Sequence, residues 1–283
     1  MKPITLYTVG TPNGKKVSIF LEELKAAYPD FEYEVYAIDF SKNEQKEECH
    51  ALTPSSTFLK HSPNGRIPAI YDPNHDHSVF ETAAILLWLE KKYDPEHKFS
   101  WGSDEPNGEK LRSQALQWIF WVHGGVGVSA AAANHFVRYA PEQIQYGKDR
   151  YINETKRLYG VLEKHLEGRD WLVGEGKGKY SIADCNAYPW LHLHAWAGVP
   201  HSDVGPNVRN YILRNWERPA VRKGSLTAAS PPSSTDCVLS TGRFLTKLLE
   251  SDFEAKYADE INKKAEDAKK WVQKGMKDDA AKK

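Results

Sequence analysis

Residues 4–14, ITLYTVGTPNG, pass from a run typical of a buried strand directly into the start of a helix. The β-branched and aromatic residues of 4–9 favour the strand. Thr11 then supplies a good helix N-cap, and Pro12 suits the first helical position because no backbone N–H is needed there. Apolar residues recur at helical spacing over 17–28. The stretch therefore predicts a strand, a tight turn and a helix.

A second strand is indicated by the alternation of residues 31–38, FEYEVYAI. A helix between two strands makes a parallel crossover the natural connection, so residues 4–38 predict a βαβ unit. A short strand and a hairpin follow over 67–80, and helical spacing returns over 81–92. We therefore expect an α/β domain over residues 1–94.

From residue 107 onward every strong periodicity is helical, and we expect a helical-bundle domain over 107–283. Apolar faces recur over 111–122 and 144–166. Ser181 and Asp184 form a capping box that predicts the start of a buried helix.

Two later segments differ from this bundle. Residues 224–241 are rich in Ser, Thr, Ala and Pro and predict a flexible surface excursion. Over 258–272, apolar residues spaced by three and four stand among charges of both signs. This pattern predicts a solvated terminal helix, with a partner-binding helix as the alternative.

The composition excludes several classes of protein. Among 283 residues, 38 Lys and Arg balance 38 Asp and Glu, so no broad positive field is available to nucleic acid. The longest strongly apolar run, residues 83–89, is far shorter than the ~20 residues of a membrane span. No secretory signal is recognisable, and we expect a cytoplasmic protein without nucleic-acid or membrane partners. Three widely separated cysteines and the histidine spacing indicate no disulfide framework and no metal site.

Residues 11–14 place a hydroxyl, a carboxamide and backbone donors at one helix N-terminus. Such a terminus attracts anions. Because Pro12 donates no N–H, we expect the free donors to be those of Asn13 and Gly14. A thiol bound there would ionise more readily than its reference pKa of about 8.5 implies. An ordinary helix cap is the alternative.

Two further polar features follow in the first domain. The Ile67-Pro68 bond at the start of a strand is a candidate for the cis form, which would turn the backbone N–H and C=O of Ile67 towards a peptide ligand. Glu81 offers a carboxylate to an ammonium group, and the helix that Glu81-Thr82 opens offers N-terminal donors to a carboxylate. These groups complement an amino-acid zwitterion, although plain capping of a surface helix explains them as well.

Four stretches together resemble the glutathione transferase superfamily in order and spacing: TPNGKKV at 11–17, NGRIPAI at 64–70, FETAAIL at 80–86 and SIAD at 181–184. Within it, the sequence is similar to the nu class and its fungal nitrogen-regulator-like relatives through WIFW at 118–121, NHF at 134–136, YAP at 139–141 and DRY at 149–151. The resemblance spans about residues 4–223.

The resemblance implies a thioredoxin-like N-terminal domain, an all-helical C-terminal domain, and a homodimer with glutathione bound at each domain junction. Carried over to this sequence, Thr11 and Asn13 hold the glutathione sulfur and form the catalytic pair. Ile67 pairs with the cysteinyl backbone across a cis Pro68.

Other family positions contact the rest of glutathione. Glu81 and Thr82 bind the γ-glutamyl end, and Thr82 stands where the family usually has Ser. Arg150 matches a family residue that helps at the ligand. The chain is longer than the family pattern ahead of the cis proline, so the contact with the glycyl end is Gln45, counting forward, or Thr53, counting back. We favour Gln45.

The family likeness implies a glutathione-dependent transferase or disulfide reductase that acts on small electrophiles or disulfides. Bound glutathione, rather than a protein cysteine, supplies the nucleophilic sulfur. The second-substrate pocket would draw on residues such as Trp121, His123 and Phe136. Two alternatives are a regulatory or interaction protein on the same scaffold and an elongation-factor-like scaffold.

Overall fold

The computed structural model describes residues 1–46, 58–227, 263, 265–270 and 272–277. The N-terminal domain combines a four-stranded sheet with helices: β1 (Ile4–Thr8), α1 (Pro12–Ala27), β2 (Tyr33–Ala37), α2 (Phe58–His61), β3 (Ala69–Asp72), β4 (His77–Phe80) and α3 (Thr82–Tyr93). The strand order is β2-β1-β3-β4, with β1 parallel to β2 and antiparallel to β3. The predicted βαβ unit is therefore confirmed, and the domain is thioredoxin-like.

The turn between β1 and α1 is set by three neighbouring residues. Thr11 caps the helix, and its Oγ1 accepts from the Gly14 N–H at 3.1 Å. A Cβ on Gly14 would overlap the carbonyl oxygen of Val9, so only glycine lets the helix begin this close to the strand. The predicted cap is confirmed, and the N-terminus of α1 lies at the end of the sheet.

The C-terminal part is helical: α4 (Gly108–Trp121), a π-helical turn (Val122–Gly127), α5 (Val128–Asn134), a second π-helical turn (His135–Tyr139), α6 (Gln145–His165), α7 (Ile182–Leu191), α8 (Pro206–Glu217) and α9 (Pro219–Leu226). The predicted capping box starts α7. The Asp184 Oδ2 accepts from the Ser181 N–H at 2.9 Å, and the Ser181 Oγ accepts from the Ala183 N–H at 3.3 Å.

Helix α1 lies between the two domains and is buried from Gly14 to Leu24. Its polar side chains pair with the C-terminal part. The guanidinium of Arg218 donates to both carboxylate oxygens of Glu23 at 2.7 Å. The Ser18 hydroxyl donates to the Gly224 carbonyl at 2.7 Å. These contacts join the domains through satisfied polar groups as well as apolar packing.

The position of Gly224 corrects one expectation from the sequence. The predicted excursion over 224–241 begins too early, because Gly224 belongs to α9 and packs on α1. A Cβ at this position would lie 2.5 Å from the Ile19 Cα, so glycine here allows two helices to approach closely. Residues 228–241 lie outside the described residues.

Two other segments can be compared with the sequence analysis. Ile144, expected on the apolar face of α6, precedes that helix and is exposed. Residues 265–270 and 272–277 are helical, and the Gln273 side chain donates to the Tyr139 carbonyl at 3.0 Å. Within the described ranges, no helix has the length and apolar character needed to cross a membrane.

Candidate functional site

A cavity of about 380 Å³ lies between the N-terminal domain and the C-terminal helices. Six of the residues proposed from the sequence as ligand contacts line it: Thr11, Asn13, Gln45, Ile67, Glu81 and Thr82. Other lining residues include Phe40, Lys46, Arg66, Pro68, Phe80, His123 and Trp190. The fold therefore brings together polar groups from four separate stretches of the sequence.

Other residues named from the sequence lie elsewhere. Arg150 is exposed on α6 and does not line the cavity. Trp121 and Phe136 are also absent from the lining, whereas His123 is part of it. Thr53, the alternative to Gln45, lies outside the described residues.

At the N-terminus of α1, the donors differ from those expected. The Gly14 N–H is engaged by Thr11 Oγ1, so it is not one of the free donors. Because that oxygen accepts from the backbone, its own hydroxyl proton stays available. Within the described part of the chain, no group accepts from the Thr11 hydroxyl. Thr11 can therefore donate to an anion in the cavity.

Asn13 is held by a residue that the sequence analysis did not identify. The indole Nε1 of Trp190 donates to the Asn13 Oδ1 at 3.0 Å. An indole N–H can only donate, so the amide atom that faces it must be the oxygen. Trp190 lies 177 positions away from Asn13, and no local pattern in the sequence connects them.

The Ile67-Pro68 peptide bond is cis, as the sequence suggested. Nearby, Gly65 has a φ of 60° and lets its loop approach the Gln45 backbone. The Gln45 Nε2 donates to the Asn43 Oδ1 at 2.7 Å, while its Oε1 is buried and has no partner among the described residues. A donor outside the described residues, such as one from a ligand, would satisfy this acceptor.

At the start of α3, Thr82 contacts a side chain of the C-terminal part. The Thr82 Oγ1 lies 2.8 Å from the His123 Nε2, and the His123 Nδ1 lies 2.9 Å from the Ile119 carbonyl oxygen. A carbonyl only accepts, so Nδ1 carries the ring proton and Nε2 accepts from the Thr82 hydroxyl. Burial, with a smaller effect of Lys16, lowers the pKa of His123. This favours the neutral ring.

Lys16 is a buried cation beside the same region. Its side chain on α1 is 1% exposed. Burial lowers its pKa to about 7, and the nearby Glu81 carboxylate acts in the opposite direction. Glu81 is the N-cap residue of α3 and has a φ of 68°. This end of the cavity therefore combines an acid and a helix N-terminus, with the buried Lys16 amine near the acid but outside the lining, and the acid and the helix N-terminus suit a zwitterion.

No group of three or more His, Cys, Asp and Glu side chains within the described ranges could hold a metal ion. The one cysteine there, Cys185, is buried, and burial raises its pKa well above its ordinary value. Among the described residues that line the cavity, none is a cysteine.

Two family models match this sequence: glutathione S-transferase, N-terminal domain, over residues 2–91, and glutathione S-transferase, C-terminal domain, over residues 130–219. The disulfide-bond oxidoreductase YfcG of Escherichia coli is 38% identical over 232 residues, which are 80% of this chain and 95% of that protein. The chain belongs to the glutathione S-transferase family.

Other members of the glutathione S-transferase family match over a similar extent. The glutathione S-transferase-like protein tpcF of Aspergillus fumigatus is 34% identical over 79% of this chain and 95% of its own. The crystal structure of a glutathione transferase homolog from Lodderomyces elongisporus, with two glutathione molecules per subunit, superposes with a TM-score of 0.68. It is 36% identical and covers 80% of this chain and 98% of that one.

Proposed function

We propose that this glutathione S-transferase binds glutathione in the cavity and uses its thiolate as a nucleophile towards small electrophiles and disulfides. One observation carries the proposal. A single cavity presents donors for an anion at the start of α1, a cis-proline backbone edge, and an acid beside the N-terminus of α3. These three features match the thiol, the peptide backbone and the zwitterionic end of glutathione.

The sulfur would lie against Thr11 and Asn13. The Thr11 hydroxyl and the Asn13 Nδ2 group donate to it, and the N-terminus of α1 adds its positive partial charge. A hydrogen bond to a charged group contributes about 1.5–3 kcal/mol. That range corresponds to a fall of about one to two units in the thiol pKa for each bond made only to the thiolate. The protein thus activates a sulfur that the ligand brings.

The γ-glutamyl end would bind at Glu81 and Thr82. The Glu81 carboxylate accepts from the ligand ammonium group, and the first N–H groups of α3 donate to the ligand carboxylate. The Thr82 hydroxyl proton is directed to His123, so this oxygen serves the ligand as an acceptor. The Lys16 amine, when protonated, adds a positive charge near Glu81.

The glycyl end would lie near Gln45. The unpartnered Gln45 Oε1 accepts from a ligand amide N–H, which satisfies its buried lone pairs. Lys46 and Arg66 also line the cavity and offer positive charge to the glycyl carboxylate. Arg150 would reach the ligand only if this part of α6 lies closer to the cavity in the bound protein.

Disulfide reduction follows from the activated sulfur. The glutathione thiolate attacks one sulfur of the substrate disulfide, so a new S–S bond forms as the substrate S–S bond breaks. The leaving thiolate takes a proton from water. A second glutathione thiolate then attacks the mixed disulfide, which releases the substrate thiol and oxidised glutathione. Attack of the thiolate on an electrophilic carbon instead forms a thioether: the new C–S bond expels a leaving group as an anion or, in an addition to a double bond, displaces an electron pair that takes a proton from water. The Escherichia coli relative YfcG is described as a disulfide-bond oxidoreductase, which supports the reductase reaction.

We also propose a homodimer in the cytoplasm. Phe120, on α4, is 60% exposed, and a large exposed apolar side chain of this kind suits a subunit interface. Reduced glutathione is a cytosolic reductant, which fits a cytoplasmic location.

Calorimetry with reduced and oxidised glutathione, followed by a hydroxyethyl-disulfide reduction assay, tests the proposal. We expect saturable binding of reduced glutathione and catalysed reduction, both impaired by Asn13→Ala. Asn153→Ala, an exposed change on α6, serves as the matched control and should retain both activities. Binding without catalysed reduction or conjugation would favour the regulatory alternative, and no binding at all would contradict the proposal.

A further inference from the structure

Trp190 connects the C-terminal helices to the proposed sulfur site. It lies on α7, lines the cavity and is 8% exposed. Its indole packs against the π-helical turn: a Cβ on Gly127 would lie 3.4 Å from the Trp190 Nε1. Burial in a closely packed interior restricts rotation of the ring and thereby the direction of its N–H.

The fixed indole N–H determines which way the Asn13 amide points. The two arms of an amide have similar shapes, and hydrogen bonding decides between them. With the Trp190 Nε1 at 3.0 Å, the oxygen arm is satisfied. A flipped amide would set two donors against each other and leave both unsatisfied. Within the described chain no group accepts from the Asn13 Nδ2, so both of its protons are available to a ligand.

We propose that Trp190 is a positioning residue of the glutathione site, which holds the Asn13 amide so that its Nδ2 group donates to the ligand sulfur. This inference rests on the proposed function. It makes ionisation of the thiol depend on how α7 lies against α1, a contact between the two domains. Without the hydrogen bond from Trp190, the Asn13 amide could turn its oxygen towards the sulfur. That orientation would destabilise the thiolate and raise the thiol pKa.

The test compares Trp190→Phe with the unmodified protein. Phenylalanine keeps an aromatic ring in the same space and removes only the indole N–H and part of the ring. The pKa of the bound glutathione thiol is measured from the ultraviolet absorbance of the thiolate across a pH series. We expect a rise of about one unit, which is about a tenfold fall in the ratio of thiolate to thiol at a given pH. The affinity for S-methylglutathione, which has no ionisable thiol, should change less than about threefold.

Trp196→Phe is the matched control. The Trp196 indole donates to the Tyr139 hydroxyl at 2.8 Å, and Trp196 does not line the cavity. This variant loses the same kind of hydrogen bond from the same type of residue. Its bound thiol pKa should equal that of the unmodified protein. An equal rise in both variants would overturn the proposal, because it would reflect general loosening of the C-terminal helices.

A double-variant cycle decides whether Trp190 acts through Asn13. In an Asn13→Ala background, Trp190→Phe should cause no further rise in the thiol pKa. The same rise in both backgrounds would show an independent role and would overturn the inference. Asn13→Asp keeps an acceptor for Trp190 and replaces the Nδ2 donors with oxygen, so it should raise the thiol pKa strongly even if Trp190→Phe does not fold. An unchanged pKa in Asn13→Asp would also overturn it.

The inference and the proposed function fail in different ways. If the unmodified protein does not bind glutathione, the proposed function fails. If it binds glutathione and lowers the thiol pKa, but Trp190→Phe lowers it equally, only the role of Trp190 is refuted.

Discussion

The Thr82 hydroxyl donates to the neutral His123 ring at 2.8 Å, across the boundary between the N-terminal domain and the C-terminal helices. His123 is in turn held by the Ile119 carbonyl through its other nitrogen at 2.9 Å. The direction of the Thr82 hydroxyl is therefore fixed before a ligand arrives, with its lone pairs left to accept from the ligand ammonium group.

Replacing His123 should weaken binding of the γ-glutamyl end. His123→Phe removes the acceptor for Thr82, so the hydroxyl is free to turn. One neutral hydrogen bond contributes about 0.5–1.5 kcal/mol, and we expect S-methylglutathione to bind about threefold to tenfold more weakly by calorimetry. Thr82→Val should cause a similar loss, and the double variant should lose no more than either single one. Full affinity in His123→Phe would contradict this account.

Binding of S-methylglutathione should take up protons because of Lys16. Burial lowers the pKa of Lys16 to about 7 in the free protein, with Glu81 and His123 as the ionisable groups near it. A ligand carboxylate at the N-terminus of α3 favours the charged amine and raises that pKa. Above pH 7 the free amine is mostly neutral and must gain a proton on binding, so the affinity should fall as the pH rises.

Lys16→Met supplies the control for that pH dependence. Methionine fills a similar apolar space and cannot gain a proton. Calorimetry at pH 8 in two buffers of different ionisation enthalpy should show proton uptake by the unmodified protein and less uptake by the variant. A pH-independent affinity in the unmodified protein would rule out the coupling.

The ion pair between Arg218 and Glu23 should stabilise the contact between the domains. Glu23 is 4% exposed, so Arg218→Met leaves a buried carboxylate without its partner. Breaking such a pair costs about 3 kcal/mol or more. Urea unfolding of Arg218→Met should show a fall of this order in the free energy of unfolding. Adding Glu23→Gln to the same chain should restore part of that free energy. Arg157→Met, which breaks an exposed pair with Glu154, should change stability little.

Gly224→Ala should also loosen this contact. The added methyl group would meet the Ile19 backbone at 2.5 Å, and overpacking of this kind costs about 1–3 kcal/mol. Gly160→Ala on α6 is the matched control, because a Cβ there meets no other atom within 4 Å. The control should stabilise the protein slightly, since alanine favours a helix. Equal effects of the two changes on the unfolding midpoint would argue against the close approach of α9 and α1.

The features that the sequence predicted correctly are those decided within a few residues. The Thr11 cap joins positions three apart, and the Ser181 capping box does the same. Local hydrogen-bonding chemistry is enough to predict such features. The hairpin of β3 and β4 belongs to the same group, because one short turn fixes its register.

The features that the sequence did not predict depend on packing between distant elements. Trp190 reaches Asn13 only because α7 lies beside α1, and neither residue has a pattern that identifies the other. Gly224 stands next to a Ser- and Pro-rich stretch, so composition suggested a loop where helix packing requires a glycine. Arg150 was proposed from family likeness alone, and it lies outside the cavity lining, so its contact with the ligand stays a prediction.

The pKa of the glutathione thiol bound to the unmodified protein and to Asn13→Ala is the most direct test of thiolate activation at α1. The titration follows thiolate absorbance with the protein in excess. We predict a value below the thiol reference of about 8.5 in the unmodified protein, and a rise of about one to two units in Asn13→Ala. A bound thiol that titrates like free glutathione in the unmodified protein, or that titrates identically in both proteins, would contradict the account.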